Sequence, residues 1–79
     1  MHNHLIFKQV PTPGQGGARL VFDEKTSGDL VLYDQLGRAV RRMVVENETV
    51  AELYSLLPGS YIAVFRSGMR VSTTRVLVE

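Results

Sequence analysis

The sequence predicts an all-β fold, a seven-stranded antiparallel β-sandwich in a single domain. Runs of Val, Ile, Leu, Tyr and Phe recur about every eight to twelve residues, separated by Gly, Pro, Asn and Asp, which is typical of sandwiches and barrels. No helical periodicity is visible. With 79 residues, 44% of them hydrophobic and 22% charged, the chain has the composition of one globular domain near the lower size limit.

The first half of the chain is predicted to contain three strands, over residues 5–10, 18–23 and 29–34. Pro11 and Pro13 end the first strand because proline has no N–H to donate to a ladder. Residues 14–17 form a loop. Residues 25–28 form a turn in which Gly28 takes a positive φ at low cost.

The second half is predicted to contain four strands, over residues 38–45, 49–53, 61–66 and 69–79. Asp34 and Gly37 delimit a type I turn, because Asp34 can accept backbone hydrogen bonds and Gly37 supplies a left-handed residue. Pro58 and Gly59 suit the centre of a type II turn, and Gly68 suits a tight hairpin. Short connections of this kind favour antiparallel pairing, and two packed sheets would share one core.

The predicted core is thin, and we expect a stability near the low end of roughly 5–15 kcal/mol. The apolar side chains expected to share this core are Leu20, Phe22, Leu30, Leu32, Val40, Leu53, Leu56, Tyr61, Ala63, Phe65 and Leu77.

The composition argues against several kinds of site. The absence of cysteine excludes disulfides, zinc–thiolate sites and thiol nucleophiles, and a net charge of +1 argues against nucleic-acid binding. His2 and His4 lie in residues 1–4, expected to be a disordered or expression-derived tail, and two ligands make a poor metal site. The glycines of residues 14–17 precede no helix, so they are not a phosphate cradle. We therefore expect neither an enzyme nor a cofactor.

Targeting signals and surface charge are also informative. No apolar run approaches the roughly 20 residues of a transmembrane helix, and the N-terminus lacks a signal-peptide pattern, so an export signal would lie on a longer parent chain. Arg38, Arg41 and Arg42 form a basic cluster in sequence that would suit a polyanion. Alternation places Arg41 on the face opposite the other two, which favours edge-strand protection instead.

Three segments carry a resemblance to a known family. They are LVLYDQLGRAV at residues 30–40, LLPGSY at residues 56–61 and RVLVE at residues 75–79. In this order they resemble the hairpin, the Leu-x-x-Gly-x-Tyr element and the basic-then-apolar last strand of the C-terminal sorting domains of type IX secretion cargo from Bacteroidetes. The motif residues are Asp34, Gly37, Arg38, Leu56, Gly59 and Tyr61.

The resemblance implies an immunoglobulin-like sandwich that directs a larger protein to an outer-membrane translocon. Its partners would be the type IX secretion machinery and its surface sortase-like peptidase, with attachment of the cleaved cargo to surface lipopolysaccharide. The domain would pass through the periplasm and reach the outer-membrane surface or the medium.

The final strand is the expected recognition element, through Arg75, Val76, Leu77, Val78 and Glu79. An exposed terminal strand offers unpaired N–H and C=O groups that a partner can extend by strand addition. The same edge offers the isolated domain a route to a homodimer or to strand exchange. The competing interpretation is a non-catalytic protein- or carbohydrate-binding β-sandwich appended to a secreted enzyme, which would need a clustered aromatic or polar surface.

Overall fold

Antiparallel β-strands make up all the regular structure in residues 7–10 and 16–79, the part of the chain that the computed structural model describes. The strands are β1 (Phe7–Val10), β2 (Ala18–Tyr33), β3 (Ala39–Leu53), β4 (Gly59–Ser67) and β5 (Arg70–Val78). The prediction of an all-β, antiparallel domain is confirmed. The predicted tail, the two prolines before the first loop and the first half of that loop lie outside the described residues.

The five strands form one sheet that curls around a single core. β3 pairs with β2 along most of its length, β1 pairs with residues 19–22 of β2, and β4 pairs with residues 29–33. β5 then pairs with β4 over its full length. Leu20 in the first part of β2 and Leu30 in the last part belong to the same buried cluster, so the sheet must bend between them.

The prediction of seven strands is wrong, because two pairs of predicted strands are continuous. The runs at residues 18–23 and 29–34 both belong to β2, and those at residues 38–45 and 49–53 both belong to β3. Register shifts between Val21 and Thr26, and between Thr26 and Gly28, mark β-bulges. A bulge bends and twists a strand without ending it, so turn-forming residues here produce a bend.

Gly28 is predicted from the sequence to lie in a turn and instead lies within a continuous strand. It lies in β2 opposite Val45, and its φ is not positive. A Cβ at this position would lie 2.2 Å from the carbonyl oxygen of Arg66 and 2.7 Å from Cζ of Phe65. Glycine is required here because β4 approaches the backbone closely, and not because a turn needs a left-handed residue.

Ser27 holds the bend in place from both sides. Its hydroxyl accepts a hydrogen bond from the backbone N–H of Asn47 at 2.8 Å, and its carbonyl accepts one from the Ser67 hydroxyl at 2.7 Å. Asn47 has φ 53°, a left-handed conformation that asparagine tolerates better than most residues. The bend of β2 is thus joined to the bend of β3 and to the end of β4.

The core contains most of the residues that the sequence predicts, with two exceptions on the outer surface. Val40 is 39% exposed and Leu77 is 57% exposed, whereas Val76 and Val78 of the last strand are buried. Both faces of that strand carry apolar side chains, so alternation alone does not reveal the inward face. The core also contains three aromatic rings. The Phe7 centroid lies 5.3 Å from that of Phe22 and 6.1 Å from that of Phe65, and the last two are 4.8 Å apart.

The type II turn predicted at Pro58 and Gly59 is also wrong. Gly59 has φ 153°, far from the value near +80° that this turn needs, and it begins β4 opposite Val78. The hairpin at Gly68 is confirmed, with φ 61° at Gly68 and Ser67 paired with Arg70.

Candidate recognition surface

The turn between β2 and β3 is organised by the carboxylate of Asp34. Its Oδ1 accepts hydrogen bonds from the backbone N–H of Leu36 at 2.9 Å and of Arg38 at 3.0 Å. Its Oδ2 accepts one from Arg38 Nε at 3.0 Å. The backbone N–H of Gly37 donates to the Asp34 carbonyl at 3.0 Å, and Gly37 has φ 82°. The predicted roles of Asp34 and Gly37 in this turn are confirmed.

These contacts also set the acidity of Asp34. The backbone N–H of Arg38 is the largest influence and lowers the pKa of the carboxyl below its ordinary value, with further lowering from Leu36 and the Arg38 side chain. Hydrogen bonds to a carboxylate favour its charged form. These contacts therefore favour the ionised form of Asp34.

The second motif segment is fixed by Tyr61 and Leu56. The ring of Tyr61 is buried, and its hydroxyl donates a hydrogen bond to the carbonyl of Leu57 at 2.5 Å. The side chain of Leu56 is buried in the core, and its backbone N–H donates to the carbonyl of Gly16 at 2.9 Å. The segment before β4 is therefore attached to the domain by side chain and backbone together.

Both motif segments meet at one end of the domain, around two adjoining hollows of about 310 and 300 Å³. Asp34, Gln35, Ser60 and Tyr61 line both hollows. Arg75 lines the first. The second is also lined by Arg38 and by residues 57–59. The hollows form here because Tyr33 pairs with Ile62, which places the turn after β2 beside the start of β4, while Arg75 pairs with Ile62 from the other side.

The five residues of the predicted recognition strand do not form one surface. Arg75, Leu77 and Glu79 are exposed, whereas Val76 is fully buried and Val78 is 5% exposed. Only the first three are available to a partner. Truncating this segment would delete two core valines, so it would disturb folding as well as any recognition.

Part of the free edge of β5 is already occupied. The Gln9 amide donates from Nε2 to the carbonyl of Leu77 at 2.6 Å and accepts at Oε1 from the N–H of Leu77 at 2.8 Å. The carbonyl of Glu79 accepts a hydrogen bond from the N–H of Gly16 at 2.9 Å. An added strand would have to displace these contacts.

The three clustered arginines do not converge. Arg38 pairs with Asp34, and Arg41 donates from Nη2 to the carbonyl of Ser55 at 3.0 Å. Arg42 is exposed and lies opposite Val31 in the sheet register. These separate environments agree with the alternation read from the sequence.

A further polar cluster joins β2 and β3 in the other half of the sheet. Arg19 lies opposite Glu52 and forms an ion pair with it at 2.6 Å, while the Tyr54 hydroxyl donates to Glu52 at 2.8 Å. The hydrogen bond from Tyr54, followed by that from Arg19, lowers the pKa of Glu52, and the same bond raises the pKa of Tyr54. Sequence inspection missed this cluster because it depends on the pairing register.

The described residues contain no group of three or more His, Cys, Asp or Glu side chains placed to hold a metal ion. No helix in the same part of the chain is long and apolar enough to cross a bilayer. Comparison with known proteins found no matching family model, no matching curated sequence and no matching solved structure.

Proposed function

We propose that this domain is a C-terminal secretion signal that directs a larger cargo protein to a type IX outer-membrane translocon. Its partners are the secretion machinery and a surface sortase-like peptidase that releases the cargo for attachment to lipopolysaccharide. The protein is exported, and it occupies the periplasm in transit before it reaches the cell surface. The domain itself performs no catalysis.

One observation carries this proposal. The two segments most similar to sorting domains, around Asp34 and around Tyr61, line the same pair of hollows, and Arg75 of the third segment lines one of them. A shared surface formed by all three segments is what a recognition signal needs.

We also propose that the curled sheet is an immunoglobulin-like sandwich whose two halves share β2 and β3. The contact between the Tyr61 hydroxyl and the Leu57 carbonyl supports this assignment. Immunoglobulin-type sandwiches contain a similar corner, in which a tyrosine near the start of a strand bonds to the backbone a few residues upstream.

The experiment is an export assay with point variants in place of truncation. The domain is fused behind a periplasm-directed reporter in a host with a type IX system, and the reporter is measured in periplasm, surface and medium. Arg75→Glu reverses an exposed charge at the hollow, and we expect it to retain the reporter in the periplasm. Arg66→Glu is the matched control, because Arg66 is exposed on the neighbouring strand and does not line either hollow.

Circular dichroism and thermal unfolding of both variants separate recognition from folding. If the folded Arg75→Glu domain is exported normally, the surface around Arg75 is not the signal. If the unmodified domain directs no export in a competent host, the proposal fails and the appended binding module becomes the better interpretation.

A further inference from the structure

The outer surface of the sheet carries a contiguous apolar patch on β2 and β4, and one of its residues, Ile62, also lines the first hollow. Leu30, Leu32, Ala63 and Phe65 point inward, so the side chains between them point outward. We call these outward residues the outer apolar face: Val31, Tyr33, Ile62 and Val64.

The register places these four side chains side by side. Val31 lies opposite Val64, and Tyr33 lies opposite Ile62. Ile62 is 42% exposed, and the other three are partly exposed. No strand among the described residues covers them. Directly opposed pairs on one face of two strands are in contact range, so the four form a continuous surface.

Arginines surround this face. We call Arg42, Arg66 and Arg75 the arginine rim. Arg42 lies opposite Val31, Arg75 lies opposite Ile62, and Arg66 follows Val64 by two residues on the same strand and face. All three are exposed. The ion pairs among the described residues involve Arg19 and Arg38. Asp29 lies opposite Arg66 in the register without forming an ion pair with it, whereas Arg42 and Arg75 have no carboxylate directly opposite in the described part of the sheet.

The outer surface of the other half of the sheet differs in this respect. Its arginine, Arg19, is neutralised by Glu52 directly opposite, and the exposed Val50 has a charged neighbour, Glu48, two positions along β3. Lys8, opposite Val21, is an exposed cation of this other half, so among the described residues the two halves differ in how many cations without an ion pair they carry and not in whether they carry any.

We infer that the outer apolar face binds a protein segment whose apolar centre is flanked by carboxylates. An apolar patch with aromatic and β-branched residues and a rim rich in arginine has the anatomy of a protein interface. The positive rim selects an acidic partner through charge complementarity. This inference does not depend on the proposed export function.

Two other occupants fit less well. A second copy docked face to face would bring its own rim arginines against these arginines, which is unfavourable. A membrane-binding surface would project apolar side chains beyond its charges, whereas three of these four are only partly exposed and all three rim arginines are exposed.

The test is a titration of the isotopically labelled domain with a blocked peptide, Glu-Glu-Val-Tyr-Val-Glu-Glu. Binding is monitored by the amide chemical shifts of the domain. Control peptides are Lys-Lys-Val-Tyr-Val-Lys-Lys and Glu-Glu-Ser-Ser-Ser-Glu-Glu. We expect the first peptide alone to shift amides of β2 and β4 around Tyr33 and Val64. Ile62→Ser and Arg66→Glu should each weaken this binding by about tenfold.

Matched variants lie on the other half of the sheet. Val50 is 40% exposed, close to the 42% of Ile62, and Lys8 is exposed on β1. Val50→Ser and Lys8→Glu should leave peptide affinity within about twofold of that of the unmodified domain. Lys8→Glu changes the net charge by the same amount as Arg66→Glu, so it controls for charge alone. Equal losses of peptide affinity from the variants in both halves would overturn the inference, because binding would then depend on net charge and not on this face.

Other outcomes also overturn it. These are no binding of the acidic peptide, equal binding of the lysine peptide, binding to phosphatidylglycerol vesicles but not to the peptide, or a dimer by sedimentation that buries Ile62. Ile62 and Arg75 belong to both proposed surfaces, so Arg66→Glu separates the two proposals. Arg66 lines neither hollow, and this variant should weaken peptide binding while leaving export unchanged.

Discussion

Gln9 and Leu77 are joined by two hydrogen bonds in which a side-chain amide takes the place of a neighbouring strand. The amide of Gln9 donates to the Leu77 carbonyl at 2.6 Å and accepts from its N–H at 2.8 Å. A primary amide presents a donor and an acceptor together, as a peptide group does. The contact thus caps the edge of β5 at one residue.

Removing this cap should loosen the end of β5. Gln9→Ala is expected to lower the free energy of unfolding by about 0.5–1.5 kcal/mol. It should also accelerate hydrogen exchange of the Leu77 amide and increase dimerisation through the freed edge, measured by sedimentation. Gln9→Glu keeps an acceptor for the N–H but places a carboxylate against the Leu77 carbonyl, so acid should restore its stability. Unchanged exchange at Leu77 in Gln9→Ala would show that the cap is not maintained in solution.

Gly28 should tolerate substitution less well than Gly37. Gly28→Ala is expected to cost about 3 kcal/mol, because its Cβ would lie 2.2 Å from the carbonyl oxygen of Arg66. Gly37→Ala is the matched control, since its Cβ would meet no atom within 4 Å and only the left-handed backbone opposes it. We expect about 1 kcal/mol there. Chemical denaturation measures both, and equal costs would contradict the close approach of β4.

The turn at Asp34 should make stability depend on pH at the acid end. The folded pKa of Asp34 lies below its ordinary value of 3.8, so the carboxylate's contribution is complete above that pH. It is lost as pH falls through the folded pKa. Asp34→Asn should therefore be less stable than the unmodified domain at neutral pH, and the difference should shrink below about pH 4.

Arg38→Gln separates the two kinds of contact at this turn. It removes the side-chain ion pair but keeps the backbone N–H, which is the larger cause of the lowered pKa. Most of the acid dependence should remain in urea denaturation series. Its complete loss would mean that the ion pair dominates.

The hydroxyl of Tyr61 should contribute to stability, whereas that of Tyr54 should not. Tyr61→Phe removes a partly buried hydrogen bond to the Leu57 carbonyl, and we expect a loss of about 1 kcal/mol. Tyr54→Phe removes an exposed contact with Glu52, which water replaces, and thermal unfolding should be nearly unchanged. Similar losses for both would argue against a specific corner at Tyr61.

Local features of this fold were accessible from the sequence. The turn at Asp34 and Gly37 depends on five adjacent residues, 34–38, and the inward set Leu30, Leu32, Ala63 and Phe65 follows the period of two. Both could be predicted because neither requires knowledge of a distant partner.

Features that depend on distant partners were not accessible. Ser27 and Gly28 have the composition of a turn, and only the proximity of Arg66 and Ser67 shows that they belong to a bend in a continuous strand. Gln9 meets Leu77 across 68 positions of sequence. The adjoining hollows likewise depend on the register of β2 with β4, which alternation does not specify.

The continuity of β2 and β3 through both halves of the sheet has a consequence for unfolding. Neither half can melt alone, since each would have to release strands on which the other depends, so the domain should lose its structure in one cooperative step. Folding must therefore also be complete before the shared surface forms from Asp34, Tyr61 and Arg75. A factor that binds their shared surface would therefore distinguish finished chains from unfinished ones, and the surface would serve as a checkpoint for folding.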